Sequence, residues 1–152
     1  MTASTINARE QMPLLARHEG SWKGTYVFVN RDSQIIDQHE SLLECTFPES
    51  GAFPYFQRNS YTWADGKSEV SELPGTIKDT KLYFDTERID GVCWEIDDNC
   101  IVLTWVYKAD ASITLTEIII LSPGDQHRTR TWHWFKDGVC FQRTLINEAR
   151  VA

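Results

Sequence analysis

Apolar and polar residues alternate with a period of two along most of the chain, and clusters of turn-forming residues interrupt the alternation at near-regular intervals. A period of two marks a half-buried β-strand. Strands are expected over residues 22–30, 35–47, 53–63, 67–73, 81–85, 89–96, 100–108, 113–121, 127–136 and 139–148. The breaks include Asn30-Arg31-Asp32-Ser33, Pro48-Glu49-Ser50-Gly51, Ala64-Asp65-Gly66, Pro74-Gly75, Asp97-Asp98-Asn99, Ser122-Pro123-Gly124-Asp125 and Asp137-Gly138. These residues favour turns through a fixed φ, tolerance of positive φ, or side-chain bonds to the backbone. Asp97-Asp98-Asn99 lacks the remainder of a calcium-binding loop and is taken as a turn. Only residues 5–18 depart from the strand pattern, and there a short helix or helical turn is expected, with Pro13 at an early helical position.

Short connections between consecutive strands point to an antiparallel up-and-down meander. An open meander of this length exposes two edges, and closing the sheet removes both. The expected fold is therefore all-β: one domain over residues 1–152, an up-and-down barrel of about eight to ten strands with a short N-terminal helical turn. Barrels of this size enclose one small ligand. The last hairpin has a readable register. With Asp137-Gly138 as a two-residue type I′ turn, Lys136 faces Val139, Trp134 faces Phe141 and Trp132 faces Arg143 on one side. Phe135 with Cys140, His133 with Gln142, and Thr131 with Thr144 fall on the other.

Composition adds two constraints. Aromatic residues make up 12% of the chain, with six Trp, and such a share serves a packed core or a ring-lined pocket. The net charge of −7, without clustered Lys or Arg, argues against nucleic acid and against an anionic membrane surface as partners. The N-terminus has no apolar signal core, no run of apolar residues is long enough to span a bilayer, and a cytoplasmic protein is expected. Cys45, Cys93, Cys100 and Cys140 form no Cys-x-x-Cys pair and are taken as free thiols, although Cys93 and Cys100 are placed to meet across a hairpin.

His18-Glu19-Gly20-Ser21-Trp22-Lys23-Gly24-Thr25-Tyr26 opens the first strand. It resembles the Gly-x-Trp signature of lipocalins and other calycins, and its Gly-x-Trp-x-Gly form is similar to nitrobindin. With Tyr61-Thr62-Trp63 and Arg130-Thr131-Trp132-His133-Trp134-Phe135, the chain over roughly residues 13–151 resembles small lipocalin-like proteins of an uncharacterised bacterial domain family, related in fold to the S-type phycobilin lyases. The resemblance implies a barrel with Trp22 plugging one end and a late Arg, Arg143 or Arg150, packed over its ring. Haem is not expected, because the last strand lacks an axial His; no cofactor is implied.

Along the third strand Tyr55, Gln57, Asn59, Tyr61 and Trp63 share one face, suited either to a polar, stacking lumen or to a Tyr-rich exterior. Glu117 interrupts an aliphatic face and needs a cation, with Arg130 the natural partner and Arg128 the alternative. Tyr26, Tyr55, Gln57, Asn59, Trp63, Arg130, Trp132 and Trp134 are the candidate ligand-binding residues. If the barrel is an enzyme, Glu117, His133 and Tyr61 are the candidates for proton transfer, His133 being the general base. His18, His39 and His127 fall near strand ends and are taken as surface residues; the His spacing proposes no metal site. Three functions remain open. One is a barrel binding a small apolar or aromatic molecule. The second is a cofactor-independent isomerase, cyclase or lyase. The third is an assembly protein whose outer face forms a homodimer.

Overall fold

The computed structural model describes residues 7–151, so residues 5 and 6 of the expected helical segment lie outside it. The order is α1 (Ala8–Gln11), α2 (Pro13–Arg17), β1 (Gly20–Asn30), β2 (Ile35–Thr46), β3 (Tyr55–Thr62), β4 (Ser68–Lys78), β5 (Lys81–Asp85), β6 (Ile89–Glu95), β7 (Cys100–Tyr107), β8 (Asp110–Leu121), β9 (His127–Lys136) and β10 (Val139–Val151). Each strand pairs antiparallel with the next, and β10 returns to β1, closing a ten-stranded barrel. Period-two patterning thus predicts every strand and the closure.

Two details differ from expectation, and a third decides between the two readings of the cysteines. The first is β4, which runs through Pro74-Gly75 instead of stopping there. β5 pairs with β4 only from Gly75 onward, so residues 68–74 form an edge on that side, where a residue without N–H is tolerated. Second, the Asp137-Gly138 turn has positive φ at both residues, as a type I′ turn requires, but a β-bulge follows between Cys140 and Gln142. The extra residue shifts the register by one: Trp132 pairs with Thr144, Trp134 with Gln142, and Arg143 with His133. Third, Cys93 lies opposite Leu103 and Cys100 opposite Ile120, so the two thiols do not meet, and all four cysteines are free.

The antiparallel registers give the barrel two distinct ends. Trp22, Cys45, Tyr55, Leu82, Ile101 and Arg128 lie toward one, and Phe28, Asp37, Trp63, Tyr107 and Trp134 toward the other. The two short helices close the first end. Met12, Leu14 and Leu15 are buried there, the Leu15 N–H donates to Glu95 Oε2 at 2.7 Å, and Arg17 is paired with Asp125 at 2.6 Å.

Trp22 is fully buried behind the helices, between two guanidinium groups: Arg128 lies 4.5 Å and Arg150 4.4 Å from its ring centre. Arg150 is the late Arg that the family resemblance implies. Arg143, opposite Val29 toward the far end of the β1–β10 ladder, is not. Arg150 also donates to the carbonyls of Arg17, Glu19 and Asp125, tying the helical plug to the barrel end. The glycines of Gly-x-Trp-x-Gly have a steric origin. A Cβ on Gly20 would come within 2.7 Å of Arg150 Nη1, and Gly20 has a φ of +128°. A Cβ on Gly24 would lie 2.3 Å from the Asn147 carbonyl oxygen and 2.6 Å from Glu148 Cγ. Gly24→Ala is therefore expected to destabilise the protein by about 1–3 kcal/mol, the usual cost of overpacking, read as a lower urea midpoint with an unchanged slope.

Candidate functional site

The inner faces of the strands enclose a cavity of about 280 Å³ that reaches from Leu15 on the helical plug to Asp37, Trp63, Tyr107 and Trp134 at the far end. The wall has a side gap as well. Residues 68–74 of β4 have β3 on one side and no strand partner on the other among the described residues. Residues from both faces of this stretch, including Glu69, Val70, Ser71 and Glu72, line the cavity, with Thr86, Arg88 and Ile89 across the gap. A hydrogen bond from Arg88 Nη1 to Ser71 Oγ, 3.4 Å, spans it.

Toward the plugged end the lumen holds a buried ionic chain. Arg130 Nε donates to Glu117 Oε2 at 2.6 Å, and its Nη1 donates to the Tyr26 hydroxyl at 2.8 Å and to Glu148 Oε2 at 3.3 Å. Arg128 Nε donates to the other oxygen of Glu148 at 2.6 Å, and its Nη1 to His18 Nδ1 at 3.0 Å. All six residues on this line are buried. Two arginines facing two glutamates balance in charge. Burial by itself lowers the pKa of Arg130, but Glu117, the Tyr26 oxygen and Glu148 outweigh it, and the guanidinium is held more firmly protonated than usual.

The β3 wall is self-satisfied. The Tyr55 hydroxyl donates to Gln57 Oε1 and Gln57 Nε2 to Asn59 Oδ1, both at 2.8 Å, so these polar groups bind each other at i, i+2. Above them the lumen becomes aromatic. Tyr26 meets Tyr61 edge-on at 5.2 Å and Trp132 at 5.6 Å; Trp105 meets Trp132 at 5.1 Å; Tyr107 stacks on Trp134 at 5.9 Å. Trp134 Nε1 is held by Thr144 Oγ1 at 2.9 Å, leaving the indole ring as the surface it offers.

His39 is set into this aromatic layer. It stacks on Tyr26 at 5.0 Å and lies 4.2 Å from the Trp63 ring. Its Nδ1 is 2.8 Å from Asp37 Oδ2, and the other Asp37 oxygen accepts from Trp63 Nε1 at 2.9 Å.

No protein-family model matches this sequence, and no curated protein matches it. Two solved structures resemble the barrel. A protein of the DUF3598 family from Nostoc punctiforme is 20% identical with a TM-score of 0.68; the alignment covers 98% of this chain and 53% of that one, so this chain spans about half its length. An S-type phycobiliprotein lyase from Guillardia theta is 16% identical with a TM-score of 0.64, over 92% of each chain. The fold is lipocalin-like. At these identities the likeness extends to the fold alone.

Within this lipocalin-like barrel, Tyr26, Tyr55, Gln57, Asn59, Tyr61, Trp63, Glu117, Arg130, Trp132 and Trp134 all line the cavity. Glu117 is paired with Arg130, and Arg128, the alternative, is paired with Glu148. His133 does not line the cavity: on β9 the residues that do are Arg128, Arg130, Trp132 and Trp134, and the pleat turns His133 to the outer face. The general base expected there is misplaced. His18 and His39 are corrections in the other direction, since both are buried and only His127 is exposed. The alternation of β2 carries the missed signal: His39 shares parity with the buried Ser41, Leu43 and Cys45.

Burial, reinforced by Arg128, Arg130, Arg150 and Arg17, lowers the His18 pKa to about 3. The unfolded chain therefore binds one more proton than the folded chain between that value and the ordinary histidine pKa of about 6.5. Stability is present in full above about pH 6.5 and falls on acidification toward about pH 3, with this residue contributing a slope of about 1.4 kcal/mol per pH unit. His18→Asn should flatten the urea-derived stability profile across that window; an unchanged profile would contradict the assignment.

Proposed function

We propose that the barrel binds a flat aromatic or conjugated small molecule, entering through the end opposite the helical plug or through the gap beside β4. The observation that carries this is the cavity of about 280 Å³ with four indoles, Trp63, Trp105, Trp132 and Trp134, in its lining. Ligand pockets of small molecules span roughly 300–1,000 Å³ and are mostly apolar with a few placed polar groups, and this lumen falls just below that range. The volume suits a molecule of a few fused rings.

The polar groups of the lumen narrow the ligand's chemistry. The two arginines and two glutamates already neutralise each other, and Tyr55, Gln57 and Asn59 are bonded to one another. A ligand that demanded a full counter-charge would have to break a buried pair, which costs about 3–5 kcal/mol. An uncharged or weakly polar ligand meets no such cost and gains ring stacking on the tryptophans.

The uncharged naphthalene dye Prodan tests the proposal through quenching of tryptophan fluorescence. Saturable quenching is expected from the wild type. Trp134→Ala should weaken it roughly tenfold, about 1.4 kcal/mol of lost stacking and burial. His133→Ala, on the outer face, should leave it unchanged. Quenching that never saturates, or that the two variants reduce alike, would place the dye outside the lumen and refute the proposal.

A further inference from the structure

The mouth of the lumen holds a group that simple binding leaves without a role. His39 is 5% exposed in its side chain, and Asp37 fixes its ring through Nδ1. Because a carboxylate oxygen accepts there, the neutral imidazole carries its proton on Nδ1 and its lone pair on Nε2. Trp63 donates to the outer oxygen of Asp37, which holds the carboxylate in place in turn. The result is a Trp63–Asp37–His39 line with a base at its inner end.

Nε2 makes no hydrogen bond to any described residue, and it is not among the buried polar atoms sealed off without a partner. Since His39 lines the cavity, its free nitrogen is reachable from the lumen. Beside it stands Tyr61, edge-on at 5.2 Å and also lining the cavity. Its phenol O–H is a hydrogen-bond donor. Burial raises the Tyr61 pKa, so the phenol keeps that proton at neutral pH.

We propose that His39, positioned by Asp37, is a general base that moves a proton between two carbons of a β,γ-unsaturated carbonyl compound bound in the lumen. The proposal rests on the ligand-binding function above. Nε2 removes a hydrogen from the carbon beside the carbonyl; the C–H pair passes into the π system and the carbonyl oxygen becomes an enolate oxygen, to which Tyr61 donates a hydrogen bond. The imidazolium, whose N–H exchanges with solvent, then delivers a proton to a more distant carbon of the dienolate. One C–H bond breaks, one forms, the double bond moves, and no oxidant, reductant or second substrate is needed. The substrate class is a β,γ-unsaturated ketone, and the reaction is isomerisation to the conjugated ketone.

Indanone, a flat bicyclic ketone, is the probe. It is incubated with the full chain in heavy water, exchange of the hydrogens beside its carbonyl is followed by proton NMR, and its binding is read separately by tryptophan quenching. The wild type should accelerate exchange saturably above free imidazole at equal concentration. His39→Gln should lower the saturated rate roughly 100-fold, the usual worth of a positioned base, while indanone still quenches. Asp37→Asn should lower the saturated rate with the half-saturation concentration unchanged, and Asp37→Glu should restore most of it. Bound indanone exchanging no faster than in imidazole, or His39→Gln exchanging as fast as wild type, overturns the proton-transfer proposal and leaves ligand binding standing. Absence of saturable quenching by both indanone and Prodan overturns ligand binding, and this proposal with it.

Discussion

Glu148 is the carboxylate on which the barrel depends. It stands on β10, and its two oxygens accept from Arg128 and Arg130 of β9. Through Arg130 the line reaches Glu117 on β8 and Tyr26 on β1; through Arg128 it reaches His18 at the end of the helical plug. One buried carboxylate thus couples both sides of the barrel seam to the segment that closes its end. Ions in such a place are stable only as a complete set, because a guanidinium left without its carboxylate would be an uncompensated buried charge. Gly24 belongs to the same constraint, since the space a Cβ would take there is where the Glu148 side chain passes.

The same constraint divides the lumen. At the plugged end the charges balance and two guanidinium groups lie over Trp22, while Arg128 Nη2 and His18 Nε2 are buried without a hydrogen-bond partner. Toward the mouth the surface changes to ring faces, and a nitrogen without a protein partner remains on His39. Tyr26 joins the two zones. Its hydroxyl is held by Arg130, and its ring supports His39 from below. The ionic chain therefore holds the aromatic layer in place while lining the same cavity.

Much of this is legible in the sequence, and for a stated reason. A strand has only two faces, so parity along β3 and β9 places Tyr55, Gln57, Asn59, Tyr61 and Trp63, and Arg130, Trp132 and Trp134, in two coherent sets. Glu117 among aliphatic neighbours demands a cation, and the adjacent strand supplies Arg130. What parity within one strand does not reveal is which face turns inward, or how a bulge resets a partner. Arg143 is lost as a candidate over Trp22 because the β1–β10 ladder sets it opposite Val29, at the other end from Trp22 and its partner Arg150. The partner of Glu148 is likewise a tertiary fact: its register opposite Arg128 needs the whole β9–β10 ladder.

The histidines carry the sharper lesson. His133, between two tryptophans, looks like chemistry because of its sequence neighbours, yet adjacent residues on a strand point to opposite sides. His39 has no suggestive neighbours except Asp37, two positions away, and i, i+2 is the spacing that puts two strand residues on one face. The β3 wall shows the same spacing used differently: Tyr55, Gln57 and Asn59 satisfy one another and cancel as ligand contacts. In an all-β lumen, then, polar residues at i, i+2 consume each other's hydrogen bonds unless one member has a second polar atom to spare. A neutral imidazole has two nitrogens, and with Nδ1 committed to Asp37 it keeps Nε2. In the proposed proton transfer, that surplus is what lets His39 act on a ligand while the rings around it shape the space.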